Sequence, residues 1–310
     1  VGDKGNDAVR VDGRDLRCRV VGEGGNLGFT QLGRIEAAET GVRINTDAID
    51  NSAGVDTSDH EVNLKILLDQ AVRDGELDPD GRNAMLGDMA DEVAELVLAD
   101  NYEQNMVLGN ARAQAPQMLG VHQRLIHSLE ESGDLDRAVE FLPSDHEIDT
   151  RRAARQGLTS PELAVVLAYA KLTTTSNLLA TALPDEEWTG TLLRSYFPPH
   201  VVQRFGDRLD AHPLRRQIVT TTLVNDMLNW AGCTYVFRAI EETSAGPDDV
   251  ARAYVVARDV FGLPDLWRRV CALDNVAPTR GQTALFLESR RVLDRATRWF
   301  LLNRSGTLDV

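Results

Sequence analysis

The sequence predicts a mainly α-helical chain with a small α/β piece at its N-terminal end. Glycine is dense before residue 58, and two short β-like segments lie in that stretch. Beyond residue 58, apolar residues recur at helical spacing almost to the C-terminus. β signals are nearly absent after residue 60, so the expected division is 1–60 (α/β) and 61–310 (helical).

The elements follow in order. Residues 17–21 (Arg-Cys-Arg-Val-Val) read as a strand ending in the turn Gly22-Glu23-Gly24-Gly25-Asn26. Residues 41–45 alternate apolar and polar, giving a second strand, with a short helix expected over 32–39. Ser58-Asp59-His60-Glu61 reads as a capping box that opens the next helix. That helix carries Leu64, Leu67, Leu68, Ala71 and Val72 as one apolar stripe. Thr159-Ser160-Pro161-Glu162 supplies the same start signals for another helix, with proline at the first helical position. Asp248, Pro264 and Pro278 punctuate further helices, and Gly157, Gly232, Gly246 and Gly262 sit where helices should stop. The last periodic segment runs over about 282–302.

Composition removes several function classes. A chain of 310 residues, 43% hydrophobic, can bury a real core. A net charge of −15 argues against a nucleic-acid partner, because phosphate binding is driven by Lys and Arg releasing counterions. The longest apolar run, 163–170, is far too short to cross a bilayer, so no membrane partner is expected. Three widely spaced cysteines, Cys18, Cys233 and Cys271, suit a reducing cytoplasm better than a disulfide framework or a zinc site. His122 and His127 stand five apart, off one helical face, and no HExxH occurs, so no metal site is expected. Arg151, Arg152 and Arg155 lie among acids, with Glu147 and Arg151 at i,i+4, which reads as a solvated helix face. No signal peptide is evident, and the start Val1-Gly2-Asp3-Lys4 suggests a fragment or a processed chain.

Three motifs carry chemistry. In Gly22-Glu23-Gly24-Gly25-Asn26 the glycines allow a sharp turn and close approach of a ligand. This is not the GxGxxG fingerprint, because Leu27 holds its sixth position. Asn51-Ser52-Ala53-Gly54-Val55 sets an amide, able to donate and accept, beside small residues that suit a carboxamide ligand. Ser58 and Glu61 form the third motif. Taken singly, each is equally an ordinary turn or helix cap.

Together their types and spacings resemble the dinucleotide-binding domain of glutamate dehydrogenases. Glu23-Gly24-Gly25-Asn26, Thr30, Asn51-Ser52-Ala53-Gly54-Val55, Ser58 and Glu61 match that family's pattern over residues 1–75. Gly25 stands for an alanine, and Ser52-Ala53 for Ala-Gly. The helical extension is similar to the large NAD-specific branch. The resemblance implies that residues 1–60 are the C-terminal portion of a Rossmann-type, NAD-binding domain. It implies Glu23, Gly24, Gly25, Asn26 and Asn51 as cofactor-binding residues for NAD. It implies Ser58 as the residue meeting the side-chain carboxylate of L-glutamate, where related dehydrogenases for branched-chain amino acids are apolar. The substrate pair would be L-glutamate and 2-oxoglutarate. The family's catalytic Lys and Asp precede this region, and Lys4 does not match their motif, so no catalytic residue is expected in this chain.

The helical part is expected to supply an assembly surface for a homo-oligomer. Two alternatives stand beside this reading: a non-catalytic helical assembly module, or a dehydrogenase for another amino acid. Trp188, Trp230, Trp267 and Trp299 read as helix-packing anchors. The runs Thr173-Thr174-Thr175-Ser176 and Thr220-Thr221-Thr222 suit either close helix contacts or a polar cavity.

Overall fold

A computed structural model of the chain describes residue 5, residues 7–304 and residues 306–310, so Lys4 lies outside the described residues. The chain divides into two compact units, residues 1–52 with 111–169, and residues 53–110 with 170–310. Among the described residues the architecture is helical and holds no strand.

In the first unit, the two segments expected as strands meet only at one isolated parallel bridge, Val20 to Arg43. The Val21 N–H donates to Arg43 O and the Arg43 N–H to Arg19 O, both at 2.9 Å. Two such bonds set neighbouring extended segments side by side, but a ladder needs several consecutive pairs, and neither segment has a further partner among the described residues. Between them runs α1 (Gln31–Glu39), close to the expected helix, with the Thr30 side chain accepting from the Gly33 N–H at 3.1 Å. Ala37, Val42 and Ile44 form the small core here, with Leu16, Val21 and Phe29 against it. Then come α2 (Asp47–Asp50) and the first residue of α3 (Ser52–Arg73).

The remainder of this unit is the second half of α5 (Ala90–Glu131), then α6 (Asp145–Ala153) and the first half of α7 (Ser160–Leu179). The capping box at α6 pairs Ser144 with Glu147, which removes Glu147 from the expected contact with Arg151. Arg151 instead grips both oxygens of the buried Glu162, at 2.7 and 2.9 Å. Glu162 in turn accepts from the Thr159 N–H, so Arg151 forms a tie across the α6–α7 connection, while Arg152 and Arg155 are exposed as expected. Gly157 is required there, since a Cβ would fall 2.3 Å from the Ala115 carbonyl carbon.

In the second unit, α3 buries Leu64, Leu67, Leu68 and Ala71 along one face, at 0–2% exposure. This unit also holds α4 (Pro79–Asp88), the first half of α5, the end of α7 and α8 (Gly190–Tyr196). It continues with α9 (Pro199–Leu209), α10 (Arg215–Ala231), α11 (Tyr235–Thr243) and α12 (Pro247–Val260). It closes with α13 (Leu263–Cys271) and α14 (Thr279–Asn303). Trp230 and Trp267 stack at 4.5 Å, and the Trp267 indole donates to Ser289 at 2.9 Å, so these two serve as packing anchors. Trp299 does not, being 61% exposed. Gly232, at φ 100°, ends α10, and the buried Arg290 donates to the terminal carbonyls of Asn229 and Trp230. No helix among the described residues is long and apolar enough to cross a membrane.

Candidate functional site

The glycine turn of the first unit is fixed from beneath. Glu23 is 5% exposed, and both its oxygens accept from Arg34 on α1, at 2.7 and 2.9 Å. The Arg34 guanidinium also reaches Asp47 at 3.0 Å. From above, the Glu23 N–H donates to Asp50 at 3.1 Å and the Leu27 N–H to Asp47 at 2.9 Å. Burial alone would raise the Asp47 carboxyl, but the Leu27 N–H and the Arg34 charge outweigh it and hold it below its ordinary value. The charged triad Glu23–Arg34–Asp47 thus ties α1, α2 and the turn together.

The turn itself stands open. Gly24 and Gly25 are exposed, and a Cβ on either would meet nothing within 4 Å. Packing among the described residues therefore does not require glycine at either position. Leu27, the residue at the sixth fingerprint position, adopts φ 63°, a backbone conformation usual for glycine. At the end of the turn the Asn51 amide donates to Asn26 Oδ1 at 2.8 Å, joining two of the sequence-predicted residues. Five of the six predicted site residues, Glu23, Gly24, Gly25, Asn26 and Asn51, thus share one small region, with Glu23 buried beneath the other four.

Ser58 requires a correction. It does not open a helix: α3 begins at Ser52, so Ser58 lies in its second turn, exposed. Asn51 closes α2 as its C-cap, and the small Ser52-Ala53-Gly54 continue at once into helix. Thr57 donates back to the Ala53 carbonyl at 2.7 Å, an interior helical bond. Glu61 pairs with Lys65 instead of folding back as a capping-box partner.

In the second unit, α3, α5, α8, α10 and α12 enclose an acidic cleft of about 310 Å³. Asp56 and His60 come from α3, Asp100 and Glu103 from α5, Asp226 from α10 and Arg258 from α12. His60 stacks on Tyr196 at 4.3 Å, and the Tyr196 hydroxyl donates to Asp59 at 2.8 Å. Burial and the neighbouring Asp100 charge push the Asp56 carboxyl up to about 7. Burial, helped by Asp226, does the same to Glu103. Burial draws the half-buried Lys171 down to about 8, although Asp100, Glu103 and Asp56 oppose the shift. Burial also lowers His60, which favours the neutral imidazole. Thr221 and Thr222 line this cleft, while Thr220 is buried and donates to the Arg216 carbonyl at 2.8 Å.

Sequence reasoning missed this cleft. The spacing of Asp56 and His60, one helical turn apart, was its only local sign, and Asp100 joins them from another helix.

The family model described as "Glutamate dehydrogenase, C-terminal" matches residues 155–310. The model described as "Bacterial NAD-glutamate dehydrogenase, catalytic domain" matches residues 1–111. A NAD-specific glutamate dehydrogenase of Halomonas elongata is 49% identical over 306 residues, covering 99% of this chain. Proteins of the same description from Pseudomonas aeruginosa and Mycobacterium tuberculosis are 47% and 48% identical over the whole chain. The chain spans 19% of the length of each of these relatives. With half of it matched by one family model and much of the rest by a second, the chain belongs to the glutamate dehydrogenase family.

Proposed function

We propose that this chain supplies one wall of the NAD and glutamate site of an NAD-dependent glutamate dehydrogenase, an enzyme that deaminates L-glutamate oxidatively to 2-oxoglutarate and ammonia. The observation that carries the proposal is the Asn26–Asn51 amide pair beside the open Gly24-Gly25 turn. An amide can answer a carboxamide with one donor and one acceptor, and bare glycine lets a flat ring or a ribose come close. Bound NAD supplies the hydride acceptor. Asn26 and Asn51 orient its nicotinamide side, while Glu23, through Arg34, positions the turn without touching the ligand.

Residues 1–60 act as the last portion of a Rossmann-type domain. The single parallel bridge with α1 between its arms, in the extended–helix–extended order of such a domain, supports this reading. The Ser58 hydroxyl, exposed on α3, meets the side-chain carboxylate of glutamate. The residues that move protons lie elsewhere in the longer protein, so this stretch alone is expected to be without dehydrogenase activity, and its expected place is the cytoplasm.

A second role, in a homo-oligomer, rests on α14. Leu285, Val292 and Trp299 recur every seven residues there, each at least 41% exposed.

NAD titration of the full-length protein tests the first role. Asn51→Ala is expected to weaken NAD binding about tenfold, the worth of one lost hydrogen bond near 1.4 kcal/mol. Unchanged affinity and turnover would remove Asn51 from the site.

A further inference from the structure

The geometry points to a divalent-cation site formed by Asp56, His60 and Asp100 in the acidic cleft, independent of the dehydrogenase reading. Asp56 and His60 stand at i,i+4 on α3, so both project from one face, and Asp100 reaches them from α5. One donor atom of each lies within 4.8 Å of the other two. Oxygen and nitrogen ligands about 2.1 Å from a shared ion sit roughly 3.4 Å apart, so closure on an ion needs side-chain movements of about an ångström.

The histidine is what separates this cluster from an ordinary acidic patch. His60 is 2% exposed, yet its Nδ1 is buried without a hydrogen-bond partner. Its Nε2 stands 3.9 Å from Asp56 Oδ1, too far for a hydrogen bond to that carboxylate. A buried imidazole is normally held through its nitrogens. This ring is held by its face instead, stacked on Tyr196, which in turn is held by Asp59 and Asn63. The stack fixes the ring with its Nε2 toward Asp56 and its Nδ1 without a partner.

Charge argues the same way. Asp56 and Asp100 are in direct side-chain contact, so an ion placed between them would meet two carboxylates at once. Asp226 is already matched by Arg258 at 2.5 Å. Among the described residues, Lys171 is the cation that faces the three carboxyls of Asp56, Asp100 and Glu103. The cleft also has room for an ion with several of its waters.

One imidazole and two carboxylates suit a borderline ion such as Mn²⁺ or Zn²⁺ better than Ca²⁺, which favours six or more oxygens. With three protein ligands, the remaining coordination positions hold water.

The test uses the full-length protein stripped with a chelator and titrated with Mn²⁺, the free ion being counted by its electron paramagnetic resonance signal. The wild type is expected to bind one more equivalent than His60→Gln or Asp100→Asn, or to bind it at least tenfold more tightly. Identical Mn²⁺ isotherms in the wild type and both variants would overturn the site. Should either variant fail to fold, the spin-echo spectrum of the Mn²⁺-loaded wild type decides. A nitrogen modulation from coordinated imidazole is expected, and its absence sinks the proposal.

Discussion

Asn51 donates its side-chain N–H to the Oδ1 of Asn26 at 2.8 Å, tying the helix start after α2 to the turn that follows the first extended segment. The pair is exposed, so its direct worth to folding is at most about 1 kcal/mol. Asn26→Ala and Asn51→Ala are therefore expected to lower the unfolding midpoint only slightly. Their effects on NAD affinity in the full-length protein should not add, since each change leaves the other amide turned away from its partner. A double-mutant cycle read by NAD titration checks this, and strict additivity would show the two amides to act separately.

Breaking the pair beneath the turn should have the opposite profile. Glu23→Gln takes the bidentate carboxylate from the 6%-exposed Arg34 and leaves it Asp47 as its charged partner, a loss of about 1–3 kcal/mol. The replacement Glu23→Asp keeps the charge but shortens the reach, and should lose less. Urea denaturation of the three forms would reveal the order, and equal stability of wild type and Glu23→Gln would show the pair to be ornamental.

Because Ser58 lies inside α3, Ser58→Asp removes no cap and should leave stability within about 0.5 kcal/mol. Glutamate turnover by the full-length protein should nevertheless fall about 100-fold, as like charge meets the substrate carboxylate and a donor is lost. Normal turnover in a stable Ser58→Asp enzyme would leave the hydroxyl a mere surface group.

The acidic cleft makes stability depend on pH. Asp56 and Glu103 titrate near 7 when folded, well above ordinary carboxylates, so the folded state binds more protons between about pH 4 and 7. Their favourable contribution is full below the unfolded value and is lost as pH rises through about 7. In the presence of chelator, Asp56→Asn should match wild type near pH 4 and exceed it in thermal midpoint by a growing margin up to pH 8. A constant difference across that range would show Asp56 to be an ordinary surface acid.

Trp299→Asp on α14 should lower the mass of the full-length assembly, seen by mass photometry, without lowering its thermal midpoint. Trp299 is 61% exposed and contributes little to the core. An unchanged oligomer in a folded variant would discard the seven-residue stripe as an interface.

Much of the helical architecture was legible, because periodicity and caps are local. The helix expected over 32–39 emerged as Gln31–Glu39, and the Leu64 stripe faces the core. The strands were not realised, since pairing depends on neighbours that a local pattern cannot supply, and residues 19–21 and 43 have only each other. The helix start was misplaced by six residues because Ser58-Asp59-His60-Glu61 fits a capping box perfectly well, while Asn51 upstream already does the stopping. Spacing to Asn51 did foretell its meeting with Asn26. The Arg151–Glu162 tie and the Asp56–His60–Asp100 cluster escaped for one reason: each joins residues on different helices.

The Glu23–Arg34–Asp47 anchor has a thermodynamic consequence for the turn above it. A glycine-rich loop such as 22–26 would ordinarily hold considerable chain entropy and surrender it on meeting a ligand. Here the backbone N–H groups of Glu23 and Leu27, at its two ends, are already bonded to acids of α2. That disorder is given up once, during folding, and little of it remains to be lost in any later association.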